Sequence, residues 1–582
     1  MDSVDDLFKK PAIPGTKRKL ETLHDPEKAY KSAKIETNGE LKSNGRAAAA
    51  EEEGDEDDVA GPERPDFVMD PEPDDEDGRF FGGGITKGTA DILDFMDKQD
   101  QNQNVPEKID AAWVRKMALN FEKRISKNAE LRAKFEDDPQ KFMGSEADLD
   151  ADIKAISILS EHPELYGEFA KLGCVNSLVS LLSHENADIA IGAIEIISEL
   201  TAEDVEAEQD QWDLLVHAML EGDVLDLLAQ NFERFDENQE SDRNGVYHSL
   251  AVLENLASQA SIIEKIALTP ILAWLLGRIK TRESPLGQNK QYAAEVLAIL
   301  LQGSLASERR FIELDGVDSL LQLLSAYRKR DPPKGTEEEE YVENLFDCLI
   351  CVVDRREGKE RFLEGEGIEL SLIMVREGKM SKTRALRLLD HAVGGQLGRE
   401  VCERLVEAAG LKTLFGMFSK KQDSQTVEHL LGIFSTMLRF LAPDSAERIR
   451  TLAKFVERDY EKIERLITLR REYSSRLRVV EDGIRQEKEV LDDDDKNEKS
   501  DEWFSKRLDA GLFCLQTVDV ILAWLIAEDD GAKRKIVSIL ANRDESLAMI
   551  KATLQEQLDS MNDEGEEERE TKDMLATLGG FL

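Results

Sequence analysis

The sequence predicts an all-α chain built from repeated helical units, and three of its features say so. From about residue 107 the apolar residues recur three and four apart, the period of one helix face. No alternating, strand-like run bounded by turns occurs there. Leu-rich segments recur behind a chain-breaking residue, at Gly173, Gly222, Pro270, Gly316, Gly367 and Gly410. The clearest pair is Leu172 to Leu182 against Leu314 to Leu324. Successive glycines lie 49, 94, 51 and 43 residues apart, and Pro270 divides the double interval.

Each element follows from this pattern. A breaker before a Leu-rich stretch makes one helix turn sharply into the next; glycine permits the bend and proline is tolerated at a helix start. A second apolar helix follows each time, at 189–201, 247–258, 291–302, 341–353, 383–393 and 427–441. Two or three helices in about 40–50 residues, repeated, is the armadillo or HEAT pattern. The expected fold is therefore a right-handed superhelical solenoid of the armadillo/HEAT type, with helical N- and C-terminal caps. Residues 107–160 read as the first cap, 161–444 as about six repeats and 445–560 as the second cap. The second cap holds a long charged helix over 445–490 and two amphipathic helices beyond it. Residues 561–582 read as a frayed acidic tail, in which Met574, Leu575, Leu578, Phe581 and Leu582 could dock.

Residues 1–106 lack periodic hydrophobics and cannot bury enough apolar surface to offset chain entropy, so they read as a disordered tail. Between 51 and 77 lie fifteen acids and a single base, Arg64. Lys17, Arg18 and Lys19 form a basic cluster of the nuclear-import kind. The stretch from Phe80 to Thr89 lacks the Gly-Lys-Ser/Thr order of a phosphate loop. Ile92, Leu93, Phe95 and Met96 read as a docking motif or a transient helix.

The 582 residues carry a formal charge of −45, with 121 acids against 76 bases. Such a chain disfavours direct nucleic-acid binding and favours basic protein partners. The acidic N-terminus has no apolar stretch of a secretory signal, and the run Val520 to Ala527 is too short to span a bilayer. Five irregularly spaced cysteines fit a reducing compartment. Cys348 and Cys351 stand in an apolar helix pattern with no second pair, so they read as core rather than metal ligands. The histidines are scattered and form no H-E-x-x-H. No enzyme, metal or cofactor is expected.

Several stretches go beyond generic repeat character: LNFEKRISKNAELRAKFEDDPQKFMGSEADLDADI at 119–153, AEVLAILLQ at 294–302, ENLFDCL at 343–349, RFLEGEGIEL at 361–370, LLDHAV at 388–393 and KRLDAGLFCLQ at 506–516. Together they resemble the beta-catenin-like family of nuclear armadillo proteins, from about residue 108 to 555. That resemblance implies a non-catalytic subunit of the spliceosomal nineteen complex, acting in pre-mRNA splicing in the nucleus. It also implies partners that present basic localisation signals, notably the Myb-like cell-division-cycle-five protein. No membrane partner is expected, and a homodimer stays open.

Aligned on their apolar positions, the inner helices carry Glu195 and Glu199, Glu254 and Asn255, Glu295, Glu343 and Asp347, and Asp390. Residues four apart share a helix face, and a row of carboxylates would attract Lys and Arg. These residues are the candidate peptide groove, although the same carboxylates also fit an ordinary solvated face. An importin-alpha-like transport adaptor is the alternative reading. Its Trp-x-x-x-Asn ladder is missing, since tryptophan is absent from these positions.

Overall fold

The computed structural model describes residues 108–491, 496, 499–561 and 565–582. Lys17, Arg18 and Lys19, the acidic block at 51–77 and the 80–96 segment lie outside the described residues. Among the described residues every regular element is helical.

Helix α1 (Ala111–Lys134) starts where Asp110 Oδ1 accepts the backbone N–H groups of Ala112 and Trp113, at 2.9 and 3.2 Å. Helix α2 (Met143–Ala155) packs on it, with Leu149 and Ile153 buried on the one and Val114 and Phe121 on the other. Six triplets follow. The first is α3 (Tyr166–Lys171), α4 (Cys174–Ser180) and α5 (Ala187–Leu200); the second is α6 (Gln209–Glu221), α7 (Val224–Arg234) and α8 (Glu240–Leu256). Then come α9 (Ala260–Ala267), α10 (Ile271–Lys280) and α11 (Gln288–Gly303), and α12 (Leu305–Glu313), α13 (Gly316–Ser325) and α14 (Glu337–Val353). The last two are α15 (Arg356–Glu364), α16 (Gly367–Glu377) and α17 (Met380–Val393), and α18 (Gly398–Glu407), α19 (Gly410–Phe418) and α20 (Ser424–Phe440).

A first helix, short in every unit but the second, then a second helix and a longer third helix make each unit, which is the three-helix armadillo plan. The short first helices had no sequence signature of their own. The third helices stack in order, α2 on α5, then α8, α11, α14, α17 and α20. With the second helices they form one continuous apolar core that includes Leu297 of α11 and Leu321 of α13.

The glycines at the second helices act differently from the sequence expectation. Gly173 does take the left-handed conformation, with φ 78°. At the later turns that role falls on a neighbour: Asp223, Asp315, Glu366 and Ala409 have φ of 60°, 55°, 57° and 61°. Gly316 and Gly367 instead make room. A Cβ on Gly316 would sit 2.4 Å from the Phe311 ring, and one on Gly367 would sit 2.3 Å from Phe362. The bare Cα lets the aromatic of the first helix come close against the second.

The second cap is more irregular. Helix α21 (Ala446–Val490) is broken at Glu457–Tyr460, where four residues leave helical geometry. The periodicity over 445–490 concealed that break because apolar spacing resumes beyond it. Helices α22 (Ser500–Asp509), α23 (Leu512–Glu528), α24 (Asp530–Ala541), α25 (Leu547–Ser560) and α26 (Glu566–Gly579) complete the chain. Helix α23 is apolar on nearly every side and is wrapped by α20, α21, α24, α25 and α26. The segment read as a frayed tail is therefore corrected: it forms α26, with Leu575 and Leu578 buried. Those two leucines, three apart, are enough of a stripe to hold a short helix on α23 and α25.

Among the described residues no single helix is long and apolar enough to cross a membrane.

The third-helix face and its polar rungs

The candidate residues all lie on the third helices α5, α8, α11, α14 and α17. The structure gives most of them partners within the chain, usually on the next third helix. Arg384 Nη2 of α17 donates to Glu343 Oε1 of α14 at 2.6 Å. One turn on, Arg387 Nη1 donates to Asp347 Oδ1 at 3.2 Å. Asp347 is buried, and burial raises its carboxyl pKa against the lowering effect of Arg387. It offers no free charge to a peptide. His429 Nδ1 of α20 lies 3.0 Å from Asp390 Oδ2 of α17. His391 stands 3.4 Å from Asp354 at the end of α14.

The earlier repeats repeat this plan with neutral donors. The Tyr292 hydroxyl of α11 donates to Glu254 of α8. Burial, then Glu254 itself, pushes that phenol's pKa up, so the proton stays on Tyr292. Asn255 Nδ2 donates to Ser198 O and Thr201 Oγ1 on the first unit, both at 3.1 Å. Glu295 accepts from Gln291 Nε2 of its own helix at 2.9 Å. The acids form polar rungs between repeats rather than a row of free carboxylates. The donors Tyr292, Arg384, Arg387, His391 and His429 were visible in the sequence, one third helix downstream of each acid. Only the stacking order shows that they meet.

Glu195 and Glu199 on α5 differ from the rest. The nearest basic side chain to Glu195 is His248, with Nε2 at 4.0 Å, and Lys154 acts on it from beyond ion-pair distance. Burial holds that imidazole below the usual histidine range, with Glu195 pulling the other way, so it is neutral at pH 7. Glu199 is exposed and makes no hydrogen bond or ion pair among the described residues. Partial burial and the like charge of Glu195 raise its pKa. The pair sits in the last turn and a half of α5, where the helix dipole adds about half a negative charge. Beyond it the loop to α6 exposes Asp204 and Glu206.

Among the described residues no group of three or more His, Cys, Asp or Glu side chains has the arrangement of a metal site. All five cysteines are buried and free. Burial pushes the Cys348 thiol well above its usual range and that of Cys351 up to about 12. Neither is a thiolate at neutral pH.

With this geometry in view, the comparison with known proteins decides the family. Residues 90–555 match the family model described as "Catenin-beta-like, Arm-motif containing nuclear". The chain belongs to that family. It is 41% identical over 465 residues to "Beta-catenin-like protein 1 homolog" of Schizosaccharomyces pombe, covering 80% of this chain and 81% of that one. Against "Beta-catenin-like protein 1" of Mus musculus it is 38% identical over 495 residues, covering 81% and 86%. Against the Homo sapiens protein of that name it is 37% identical over the same length. This catenin-beta-like match begins at residue 90, so it takes in the apolar cluster from Ile92 to Met96, which lies outside the described residues.

Proposed function

We propose that this catenin-beta-like chain is a non-catalytic nuclear scaffold of the nineteen complex that holds basic, localisation-type segments of splicing proteins. By the family resemblance, the Myb-like cell-division-cycle-five protein is the first partner to try. The observation that carries the binding reading is the Glu195 and Glu199 pair: two carboxylates a turn apart at the negative end of α5, neither within ion-pair distance of a Lys or Arg among the described residues, with Lys154 acting on Glu195 from farther off. A Lys or Arg there removes the like-charge repulsion and gains charge-assisted hydrogen bonds. Exposed single pairs contribute only about 0–1 kcal/mol, so affinity comes from several contacts, with Asp204 and Glu206 extending the acidic path. An extended peptide advancing about 3.3–3.6 Å per residue reaches from α5 to this loop. The rung acids Glu254, Glu343, Asp347 and Asp390 serve on this reading to set the spacing of the face, while Glu295 is held by Gln291 of its own helix. A transport-adaptor role is disfavoured because no tryptophan occurs on any third helix.

The test is a fluorescence titration of a basic signal peptide against wild type and the Glu195→Lys, Glu199→Lys variant, with circular dichroism to verify the fold. The expected result is binding weaker by at least about tenfold, or 1.4 kcal/mol. Unchanged affinity in the folded variant would remove the face from consideration. The pH dependence has a definite sign. A bound cation favours ionised Glu199, so binding releases protons and tightens as pH rises through the carboxylate range. Entry into the nucleus is assigned to Lys17, Arg18 and Lys19. Alanine at all three is expected to move a fluorescent fusion toward the cytoplasm, and undiminished nuclear signal would refute the assignment.

A further inference from the structure

Where repeat six meets the second cap, the surface chemistry reverses. A cavity of about 510 Å³ opens between the start of α20 and the α21 segment beyond its break. Its lining includes Lys421, Ser424, Arg465, Thr468, Glu472 and Arg476. A second cavity of about 470 Å³ shares Thr468, Glu472 and Arg476 and adds Arg543.

Apart from Arg471 in the second cavity, the cations here lack carboxylate partners, in a chain whose acids outnumber its bases 121 to 76. The side chains of Lys421 and Arg543 make no hydrogen bond or ion pair among the described residues. Arg476 lies over the Tyr473 ring at 5.5 Å and pairs with no acid. Arg465 donates from Nη2 to the Lys420 carbonyl at 2.9 Å and lies over Phe418 at 5.3 Å. Its Nε is buried with no partner at all. By contrast Arg471, on the same helix, is held by Glu545 at 2.6 Å. The acids of the lining are Glu464, which Lys535 engages at 2.9 Å, and Glu472, which has no partner. The N-terminal amides of α20 are spoken for in part by Asp423, whose Oδ1 accepts from Thr426 N at 2.9 Å.

We propose that this cavity docks a phosphorylated serine or threonine of a partner protein, in a segment that also carries basic residues. Arg465 and Arg476 offer guanidinium forks and Lys421 a point charge, the donors that suit phosphate oxygens. The Ser424 hydroxyl at the rim is already engaged by the Tyr473 side chain, so the three cations carry the recognition. A phosphate monoester concentrates about −1.5 to −2 charges on one group, enough to engage all three cations at once. Glu472 beside them takes a flanking Lys or Arg. That same carboxylate, together with the chain's net charge, disfavours a nucleic-acid strand, whose phosphates would pass every acid in turn. The site is separate from the α5 face and of opposite charge, so it does not depend on the function proposed above.

The experiment is fluorescence anisotropy with the full chain and a labelled peptide carrying one phosphoserine between arginines, set against its unphosphorylated twin. The phosphorylated peptide is expected to bind at least about tenfold more tightly. That preference should vanish in the Lys421→Ala, Arg476→Ala variant, whose substituted side chains are exposed, with circular dichroism to verify the fold because Arg476 covers the Tyr473 ring. It should persist in the Glu195→Lys, Glu199→Lys variant, which separates this site from the acidic face. Equal affinity for the two peptides, or a preference that survives loss of Lys421 and Arg476, overturns the proposal. Tighter binding of single-stranded RNA through the same two residues overturns it in favour of nucleic acid. Inorganic phosphate that displaces the peptide as well as free phosphoserine peptide does would overturn the segment and leave a small-anion site.

Discussion

In the repeats, the ion pairs that link one third helix to the next run from the edge of the stack inward, Arg387 and Asp347 keeping 10% and 11% of their side-chain surface exposed. Arg384 and Glu343 keep 23% and 32% of their side-chain surface exposed. In the second cap the equivalent links are sunk. Arg470 and Asp519 join α21 to α23 at 4% and 0% exposure, with two parallel bonds of 2.7 and 3.1 Å. Arg448 reaches from α21 to Glu528 at the end of α23 and also donates to the Leu438 and Leu441 carbonyls. The difference follows from periodicity. A repeated apolar interface fixes its own register, because each unit meets the next in the same way, and polar rungs can stay at the rim. Helix α23 is apolar on nearly every side, so hydrophobic burial alone would accept it at several rotations. A two-point Arg–carboxylate bond selects one of them.

The sharpest way to break this comparison is at the buried pair. Asp519→Ala leaves Arg470 buried without a counter-charge and is expected to cost about 3–5 kcal/mol in urea unfolding. The Arg470→Met, Asp519→Leu double variant should recover most of that loss, because apolar replacement of a whole pair is often neutral. If the double variant is as unstable as the single one, the pair contributes stability and not orientation. The pH profile sharpens the point. Burial, only partly offset by Arg470, pushes the Asp519 pKa from 3.8 up to about 6. The native state therefore holds this proton more tightly than the unfolded chain does. Its contribution is greatest below the unfolded pKa and declines as pH rises through about 6, a slope Asp519→Asn should remove.

The next effect belongs to the repeat turns. Gly316→Ala puts a methyl 2.4 Å from the Phe311 ring and is expected to cost about 1–3 kcal/mol by forcing the two helices apart. Ala409→Gly should go the other way by up to about 1 kcal/mol, since Ala409 sits at φ 61° where a side chain is strained. Thermal or urea unfolding of both variants checks the two roles. Equal and opposite assignments would show that Gly316 serves the bend and not the contact.

The smallest effect is at a rim rung. A double-mutant cycle on Glu343 and Arg384 should give a coupling of about 0–1 kcal/mol, because both groups are solvated in part. A coupling of several kcal/mol would erase the distinction between rim and core links.

The sequence by itself determined the repeat plan, because helix period and core burial are local properties written at fixed spacing. The third helices anticipated at 189–201, 247–258, 291–302, 341–353, 383–393 and 427–441 overlap α5, α8, α11, α14, α17 and α20 closely, their starts being earlier in the structure. The second helices begin within two residues of the breakers that announced them. The sequence also placed every candidate acid on a third helix. Tertiary structure decided what those acids do. Glu343 and Glu199 look alike as letters on an amphipathic helix, yet Arg384 lies across from one and only neutral His248 stands near the other's neighbour. Partners some forty residues apart meet only because a solenoid lays successive third helices side by side, and no local pattern records that distance. The same holds for Gly316, whose need is set by Phe311, and for α26, whose two leucines mean nothing until α23 is there to receive them. Period determines which face is buried; the neighbour on that face determines whether a charge is spent or left open.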